Sequence, residues 1–175
     1  MNLPNRLSIL RVLLIPPMVI FLYLSGSWSR WAALAVFVIA SLTDFLDGHL
    51  ARKNNWITDF GKFIDPLADK LLVLSALIMM IHLRQLPAWL VLVILTRELA
   101  VDGLRLVAVT QGKVIAAGMP GKIKTFSQMI LIIFLMATGT PAFSTWPGGI
   151  LAGWVVCITI YSGIVYFTQN RSVFS

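Results

Sequence analysis

The acidic residues of this chain are few and clustered. Seven of its 175 residues are acidic, and four of those seven are Asp44, Asp47, Asp65 and Asp69. The members of the first pair are three residues apart and those of the second pair are four apart, so each pair lies on one face of a helix. The first pair lies late in one apolar segment and the second early in the next, and these two ends face each other across the short connection 53–63. The spacing therefore predicts that four carboxylates converge on one small volume.

Four converging carboxylates need compensating charge. An aspartate deep in a transmembrane helix costs on the order of 2.5–3.5 kcal/mol, and mutual repulsion adds to that cost. Hard oxygen ligands suit Mg²⁺ or Mn²⁺, so we interpret the cluster as a divalent-metal site. The alternative is a salt-bridge network with Arg52 and Lys70, but two bases do not neutralise four acids.

Residues beside the aspartates suit a phosphate-bearing ligand. Gly48 and Gly61 would let a bulky ligand approach the backbone, although a lone glycine in a helix also serves helix packing. Arg52 offers a planar fork that matches phosphate oxygens. The surroundings of the aspartates therefore favour an anionic phosphate compound as the ligand.

The elements that position these residues are long and apolar. Hydrophobic residues make up 58% of the chain and charged residues 12%, whereas a soluble domain carries about 25% charged residues. A helix needs roughly 20 apolar residues to cross a bilayer. No run alternates as a β-strand does, so we predict an all-α membrane protein with a single domain over residues 1–175. Its six predicted transmembrane helices are residues 7–24, 31–51, 64–81, 88–109, 123–138 and 150–167. Breaks are predicted between them at 25–27, 87, 118–121, 139–141 and 147–149.

Basic residues indicate how the chain lies in the membrane. The N-terminus and the connections after the second and fourth segments carry Arg6, Arg52, Lys53, Lys62, Lys113 and Lys122. The other connections carry only Arg30 and Arg84. The positive-inside rule then predicts cytoplasmic termini and a polar active site at the cytoplasmic side. The net charge of +7 is spread between apolar segments, which favours membrane lipids or an anionic substrate over nucleic acid.

The aspartates and their neighbours form a longer pattern. Asp44, Asp47-Gly48, Ala51-Arg52, Gly61, Asp65 and Asp69 fit DxxDGxxAR-x8-GxxxDxxxD at every fixed position. In this pattern the chain resembles the CDP-alcohol phosphotransferase family. The resemblance implies a six-helix membrane enzyme, a homodimer, that passes the phosphate-bearing part of a CDP-linked substrate to an alcohol. It also implies Mg²⁺ or Mn²⁺ as cofactor, with two ions in each active site.

The resemblance further implies roles for single residues. Asp44, Asp47 and Asp65 would bind metal, and Asp69 would bind metal and act as general base on the acceptor hydroxyl. The alternative for Asp69 is a fourth ligand that moves no proton. The residues expected to bind CDP-diacylglycerol are Asn5, Gly48, Arg52, Thr58 and Gly61.

A second group of basic residues lies in the later part of the chain. Arg97 and Arg105 fall within the fourth segment, and Lys122 and Lys124 lie at the start of the fifth. Charges inside membrane segments usually face a cavity, and cations beyond those that CDP needs imply a second anion. We therefore expect these four residues to bind a phosphate on the acceptor. Two other interpretations exist: the cations bind anionic lipid headgroups, or Glu98 serves only as the counter-ion of Arg97.

The stretches 4–8, 96–98, 103–105 and 121–125, together with Arg11, narrow the choice of acceptor within the family. They are similar to members that use glycerol 3-phosphate. We therefore expect the phosphatidyl group of CDP-diacylglycerol to pass to sn-glycerol 3-phosphate in the bacterial cytoplasmic membrane, giving phosphatidylglycerophosphate and CMP. The alternatives are a family member of the cardiolipin or inositol-phosphate type and, in another class, a small Mg²⁺ transporter, which would need a continuous polar path.

Overall fold

The computed structural model describes residues 3–24, 26–54, 59–113, 115–116 and 118–173. They form α1 (Leu3–Tyr23), α2 (Ser27–Asn54), α3 (Asp59–His82), α4 (Ala88–Thr110), α5 (Met119–Thr138) and α6 (Trp146–Gln169). Two 3-10 turns, Ala142–Ser144 and Arg171–Val173, flank α6. These ranges contain no strand, so the predicted all-α class is confirmed.

Five helices begin before the predicted apolar segments. They start at residues 3, 27, 59, 119 and 146 rather than at 7, 31, 64, 123 and 150. Hydropathy marks only the apolar part of a helix, whereas the helix itself extends through a more polar first turn. Pro4, Pro120 and Pro147 each stand second in their helix, where a missing N–H leaves no helical hydrogen bond unmade. The breaks predicted at 118–121 and 147–149 are therefore wrong, because most of these residues belong to α5 and α6.

The packing forms two compact units, of which the first comprises Met1–His82 and Met136–Gly139. In this unit α1 packs against α2 and α3, and α2 also packs against α3. Each helix contributes a buried stripe at helical spacing, and small alanines in the stripes let the backbones approach closely. The buried residues of α2 and α3 include Ala33, Phe37, Ala40, Ala68, Leu72 and Ala76.

Two contacts fix the relative direction of α1 and α3. Near their first residues, the Ser8 hydroxyl donates a hydrogen bond to the Asp65 carboxylate. Near their last residues, the ring centroids of Tyr23 and His82 are 4.7 Å apart. The two helices therefore run in the same direction. Ser8 and Arg11 make the early part of the buried α1 stripe polar, so the polar end of this helix pair is the end that carries Asp65.

The second unit comprises Leu83–Leu135 and Thr140–Ser175. In it α4 packs against α6, the first 3-10 turn packs against α6, and the second packs against α4. Gln111 Nε2 donates to the Val173 carbonyl at 2.8 Å, which ties the segment after α6 to the end of α4. One apolar cluster of this packing contains Val101, Leu104, Ala108, Tyr166 and Val173.

Three of the described helices are long and apolar enough to cross a membrane, by length and composition: Arg6–Tyr23, Met119–Thr138 and Trp146–Gln169. On α2 only the shorter stretch Ser27–Thr43 is comparably apolar. The 23 residues of α4 would be long enough, but four of them are charged. By these two criteria the described residues give three candidate spans, and the predicted number of six stays a prediction. On α4 the criterion that fails is charge and not length.

Candidate active site

In the first unit, α1 holds the carboxylate of Asp65. The Ser8 hydroxyl, fully buried, donates to Asp65 Oδ1. Arg11, one turn further along α1, is also fully buried. α1 therefore supplies a hydroxyl and a cation to the end of the helix pair at which α3 carries its aspartates. A neighbour that fixes one carboxylate oxygen orients the other toward a ligand.

α3 presents the second aspartate pair on one face. Gly61, Asp65 and Asp69 follow one another at four-residue spacing along a continuous helix, so they lie one turn above another. Gly61 is buried, whereas Asp65 and Asp69 are half-buried. The two carboxylates are thus neighbours on the helix surface and both remain accessible to a ligand.

The first aspartate pair lies on α2, whose helical backbone continues to Asn54. The predicted site residues that fall outside the described side chains are Asn5, Asp44, Asp47, Gly48, Arg52 and Thr58. Among the side chains that the structure does describe, no three or more acidic, histidine or cysteine residues come together as a metal site. The convergence of all four carboxylates therefore stays a prediction. Asp65 and Asp69 fit it by their chemistry, because carboxylate oxygens are the ligands that Mg²⁺ and Mn²⁺ prefer.

In the second unit, Glu98 is the centre of a buried group of ion pairs. Its Oε1 accepts from Arg97 Nη1 at 3.2 Å and also from the Lys124 ammonium group. The exposed fractions of the side chains are 11% for Arg97, 22% for Glu98 and 2% for Lys124. Glu98 is therefore a counter-ion of Arg97, as one interpretation of the sequence proposed, and it also ties Lys124 of α5 to α4.

Two hydroxyl groups of α6, which the sequence analysis did not single out, bind the arginines of α4. Arg97 Nε donates to Ser162 Oγ at 3.1 Å. Arg105 Nε donates to Tyr166 Oη at 2.6 Å, and the Arg105 guanidinium carbon lies 5.3 Å from the centre of the Tyr166 ring. Ser162 and Tyr166 are one turn apart on an otherwise apolar helix, and that spacing was the available signal in the sequence.

Charge indicates what the second unit is suited to bind. Arg97, Arg105 and Lys124 carry three positive charges, and Glu98 and Asp102 of α4 carry two negative charges, which leaves a net charge of +1 among these five side chains. The fourth predicted phosphate ligand, Lys122, is exposed. The packing of α4, α5 and α6 thus creates a group that favours an anion.

Comparison with known proteins identifies the family. Residues 1–165 match the sequence model of the CDP-alcohol phosphatidyltransferases. The chain belongs to this family. The match confirms the resemblance that the aspartate pattern indicated, and it runs through residues of both compact units.

Other CDP-alcohol phosphatidyltransferases align with almost all of the chain. A Bacillus subtilis (strain 168) protein named CDP-diacylglycerol–glycerol-3-phosphate 3-phosphatidyltransferase is 45% identical over 183 aligned positions, which cover 97% of this chain and 95% of that protein. A Rickettsia typhi protein of the same name is 37% identical, with 99% of each chain covered. A Mycobacterium tuberculosis (H37Rv) protein named probable phosphatidylglycerophosphate synthase is 39% identical over 96% of this chain and 81% of its own length.

Proposed function

We propose that this chain transfers the phosphatidyl group of CDP-diacylglycerol to sn-glycerol 3-phosphate, giving phosphatidylglycerophosphate and CMP. The observation that carries the proposal is the 45% identity, over 97% of the chain, to a Bacillus subtilis protein named for this reaction. Metal ions on the aspartates of the first unit and the cations of the second unit would each compensate the charge of one anionic substrate.

The aspartates serve the donor substrate. Asp44, Asp47 and Asp65, with Asp69, would hold two Mg²⁺ or Mn²⁺ ions, and the Ser8 hydroxyl keeps the Asp65 carboxylate in one orientation. Ions bound there would neutralise the pyrophosphate of CDP-diacylglycerol and stabilise CMP as the leaving group. The residues that contact the CDP-diacylglycerol itself are Asn5, Gly48, Arg52, Thr58 and Gly61.

Asp69 serves the acceptor hydroxyl. It takes the proton of that hydroxyl as the acceptor oxygen forms a bond to the phosphorus that carries the diacylglycerol. The bond from this phosphorus to the oxygen of CMP breaks, and CMP leaves with the electron pair. Asp69 lies one turn beyond Asp65 on the same face of α3. This position supports a base at Asp69 beside a metal ligand at Asp65.

The cations of the second unit serve the acceptor phosphate. Arg97, Arg105 and Lys124, with Lys122, compensate the negative charge of glycerol 3-phosphate. The positive excess among these side chains supports this assignment, because a phosphate monoester is anionic. In the competing interpretation, the same side chains bind an anionic lipid headgroup, and the acceptor does not contact them.

The setting is a bacterial cytoplasmic membrane. The relatives that support the proposal are bacterial, and three described helices are apolar enough to span a bilayer. We propose six spans in a single domain over residues 1–175, both termini in the cytoplasm, the active site at the cytoplasmic side, and a homodimer. The distribution of lysine and arginine supports the orientation, and the family resemblance supports the dimer.

Acceptor competition tests the reaction. Purified protein in neutral detergent micelles receives radiolabelled CDP-diacylglycerol, Mg²⁺ and equal concentrations of sn-glycerol 3-phosphate, inositol 1-phosphate and phosphatidylglycerol. We expect labelled phosphatidylglycerophosphate as the main product. Labelled inositol phospholipid or cardiolipin as the main product would instead assign the chain to another branch of the family, and no CMP release with any acceptor would contradict the enzyme assignment.

A further inference from the structure

The two arginines of α4 are bound by α6 through the same atom. Arg97 Nε donates to Ser162 and Arg105 Nε donates to Tyr166. A hydrogen bond at Nε leaves the two terminal Nη groups, which form the end of the guanidinium fork that grips a phosphate with two parallel bonds. α6 therefore holds both arginines in a way that keeps their terminal nitrogens for other partners.

The terminal nitrogens of the two arginines differ in what they contact. Arg97 Nη1 is already bonded to Glu98 at 3.2 Å. In the part of the chain that the structure describes, the Nη groups of Arg105 make no hydrogen bond, and they are not among the buried atoms without partners. Arg105 is thus the arginine whose complete terminal fork is available to a ligand.

Tyr166 is a rigid support for that fork. Only 6% of the residue is exposed, and its ring belongs to the apolar cluster of α4 and α6. Its hydroxyl accepts from Nε at 2.6 Å while its ring lies 5.3 Å from the guanidinium carbon. A hydrogen bond and a cation–π contact from one packed side chain restrict the plane in which the guanidinium lies. A fork held in one plane before binding loses less freedom when the ligand arrives.

We propose that Tyr166 is a positioning residue, which presents the terminal nitrogens of Arg105 to the phosphate of the acceptor. The inference rests on the proposed function and deepens it, because it names the residue that prepares the acceptor site. It also explains selectivity, since a fixed planar fork favours a phosphate monoester over an uncharged alcohol.

The substitution Tyr166→Phe tests the role, because it removes the acceptor of the Arg105 Nε bond and keeps the ring. We expect KM for sn-glycerol 3-phosphate to rise roughly fivefold, within the range of couplings between hydrogen-bonded side chains, while kcat and KM for CDP-diacylglycerol stay unchanged. The matched control is Tyr161→Phe, the same change at a residue of α6 that is 57% exposed, which should alter none of these constants. Thermal unfolding in the same detergent verifies that both variants are folded.

A double substitution distinguishes positioning from direct binding. If Tyr166 acts through Arg105, adding Tyr166→Phe to Arg105→Ala raises the acceptor KM no further. An unchanged KM in the single variant, or a full further rise in the double variant, overturns the positioning role.

Binding without turnover separates this inference from the proposed reaction. Inorganic phosphate and sn-glycerol 3-phosphate are titrated calorimetrically into the wild-type protein and Tyr166→Phe, with no CDP-diacylglycerol present. Weaker binding of both by Tyr166→Phe supports the inference, even if another phosphorylated acceptor proves to be the substrate. Equal binding by the two proteins, or no binding by the wild type, overturns the inference about Tyr166. The acceptor-competition assay tests the proposed reaction separately.

Discussion

Asp65 and Asp69 are chemically identical residues for which we propose different sets of roles. The Asp65 carboxylate accepts a hydrogen bond from the buried Ser8 hydroxyl of α1. Hydrogen bonds of this kind fix the orientation of metal ligands. Asp69 follows one turn later on the same face. We propose metal binding for both residues and proton transfer for Asp69 alone.

Loss of a metal-binding carboxylate should abolish turnover. We expect Asp44→Ala, Asp47→Ala and Asp65→Ala each to be inactive and to bind Mn²⁺ more weakly, because each removes a charged oxygen ligand from the site. Turnover is measured by CMP release over a range of Mg²⁺ concentrations, and Mn²⁺ binding by electron paramagnetic resonance. A near-normal rate at saturating Mg²⁺ for any of the three would remove that residue from the ligand set.

Asp69→Asn should separate binding from chemistry. The amide keeps the size of the carboxylate but accepts no proton, so we expect kcat to fall roughly 10²-fold or more, the usual scale for a lost general base. Binding of CDP-diacylglycerol should change little. If binding and rate fall together, Asp69 is mainly a metal ligand and another group removes the proton.

At the scale of helices, hydroxyl groups of one helix orient charged groups of another. Ser8 of α1 binds Asp65 of α3, and Tyr166 of α6 binds Arg105 of α4. In each pair the hydroxyl comes from a helix that is apolar enough to span a membrane, whereas the charged partner lies on a helix whose described residues do not meet that criterion. The apolar helices therefore also contribute hydrogen bonds to charged side chains of neighbouring helices.

Ser8→Ala tests the contact between α1 and α3. Removal of an orienting hydrogen bond from a metal ligand typically lowers metal affinity by about 10- to 100-fold, so we expect Mn²⁺ binding to weaken within this range. Ser41→Ala is the matched control, because within the described part of the chain the Ser41 hydroxyl bonds only to the Phe37 carbonyl of its own helix. Unchanged Mn²⁺ affinity in Ser8→Ala would show that the hydroxyl does not orient the ligand.

The cations of α4 and α5 should determine the acceptor KM. Loss of a charge-assisted hydrogen bond costs about 1.5–3 kcal/mol. Arg105→Ala and Lys124→Ala should therefore raise KM for glycerol 3-phosphate roughly tenfold or more, with little change in KM for CDP-diacylglycerol. Arg84→Ala, at an exposed residue outside both helices, is the control. An unchanged acceptor KM, together with a rate that responds to added anionic lipid, would instead favour the headgroup interpretation.

Sequence reasoning predicted what depends on local spacing. It predicted the all-helical class, the helix ends near residues 23, 82 and 138, and a common helix face for Asp65 and Asp69. It missed the helix starts, because hydropathy does not identify a first helical turn that is polar. It also missed Ser8, Ser162 and Tyr166 as partners of charged residues, since those contacts depend on which helices pack together and a lone hydroxyl in an apolar run resembles any packing residue.

At the scale of the whole molecule, the exposed aromatic residues and the buried charged residues lie at different positions. Tryptophans near the starts of helices are exposed, among them Trp28, Trp89 and Trp146 at 74%, 55% and 79%. Aromatic residues of this kind favour the membrane–water interface. By contrast, the charged residues that are buried in the part of the chain that the structure describes are Arg11 of α1 and Lys124 of α5, one in each unit. A buried cation in each unit is consistent with the proposed reaction, whose two substrates are anionic.

Release of CMP by the purified wild-type protein tests the central claim most directly. The protein is incubated with CDP-diacylglycerol, with and without sn-glycerol 3-phosphate, first with Mg²⁺ and then with excess chelator. We expect CMP to appear only when both glycerol 3-phosphate and Mg²⁺ are present, in amounts equal to the phosphatidylglycerophosphate formed. CMP release that is independent of glycerol 3-phosphate, or that persists after the divalent ions are removed, would contradict the account.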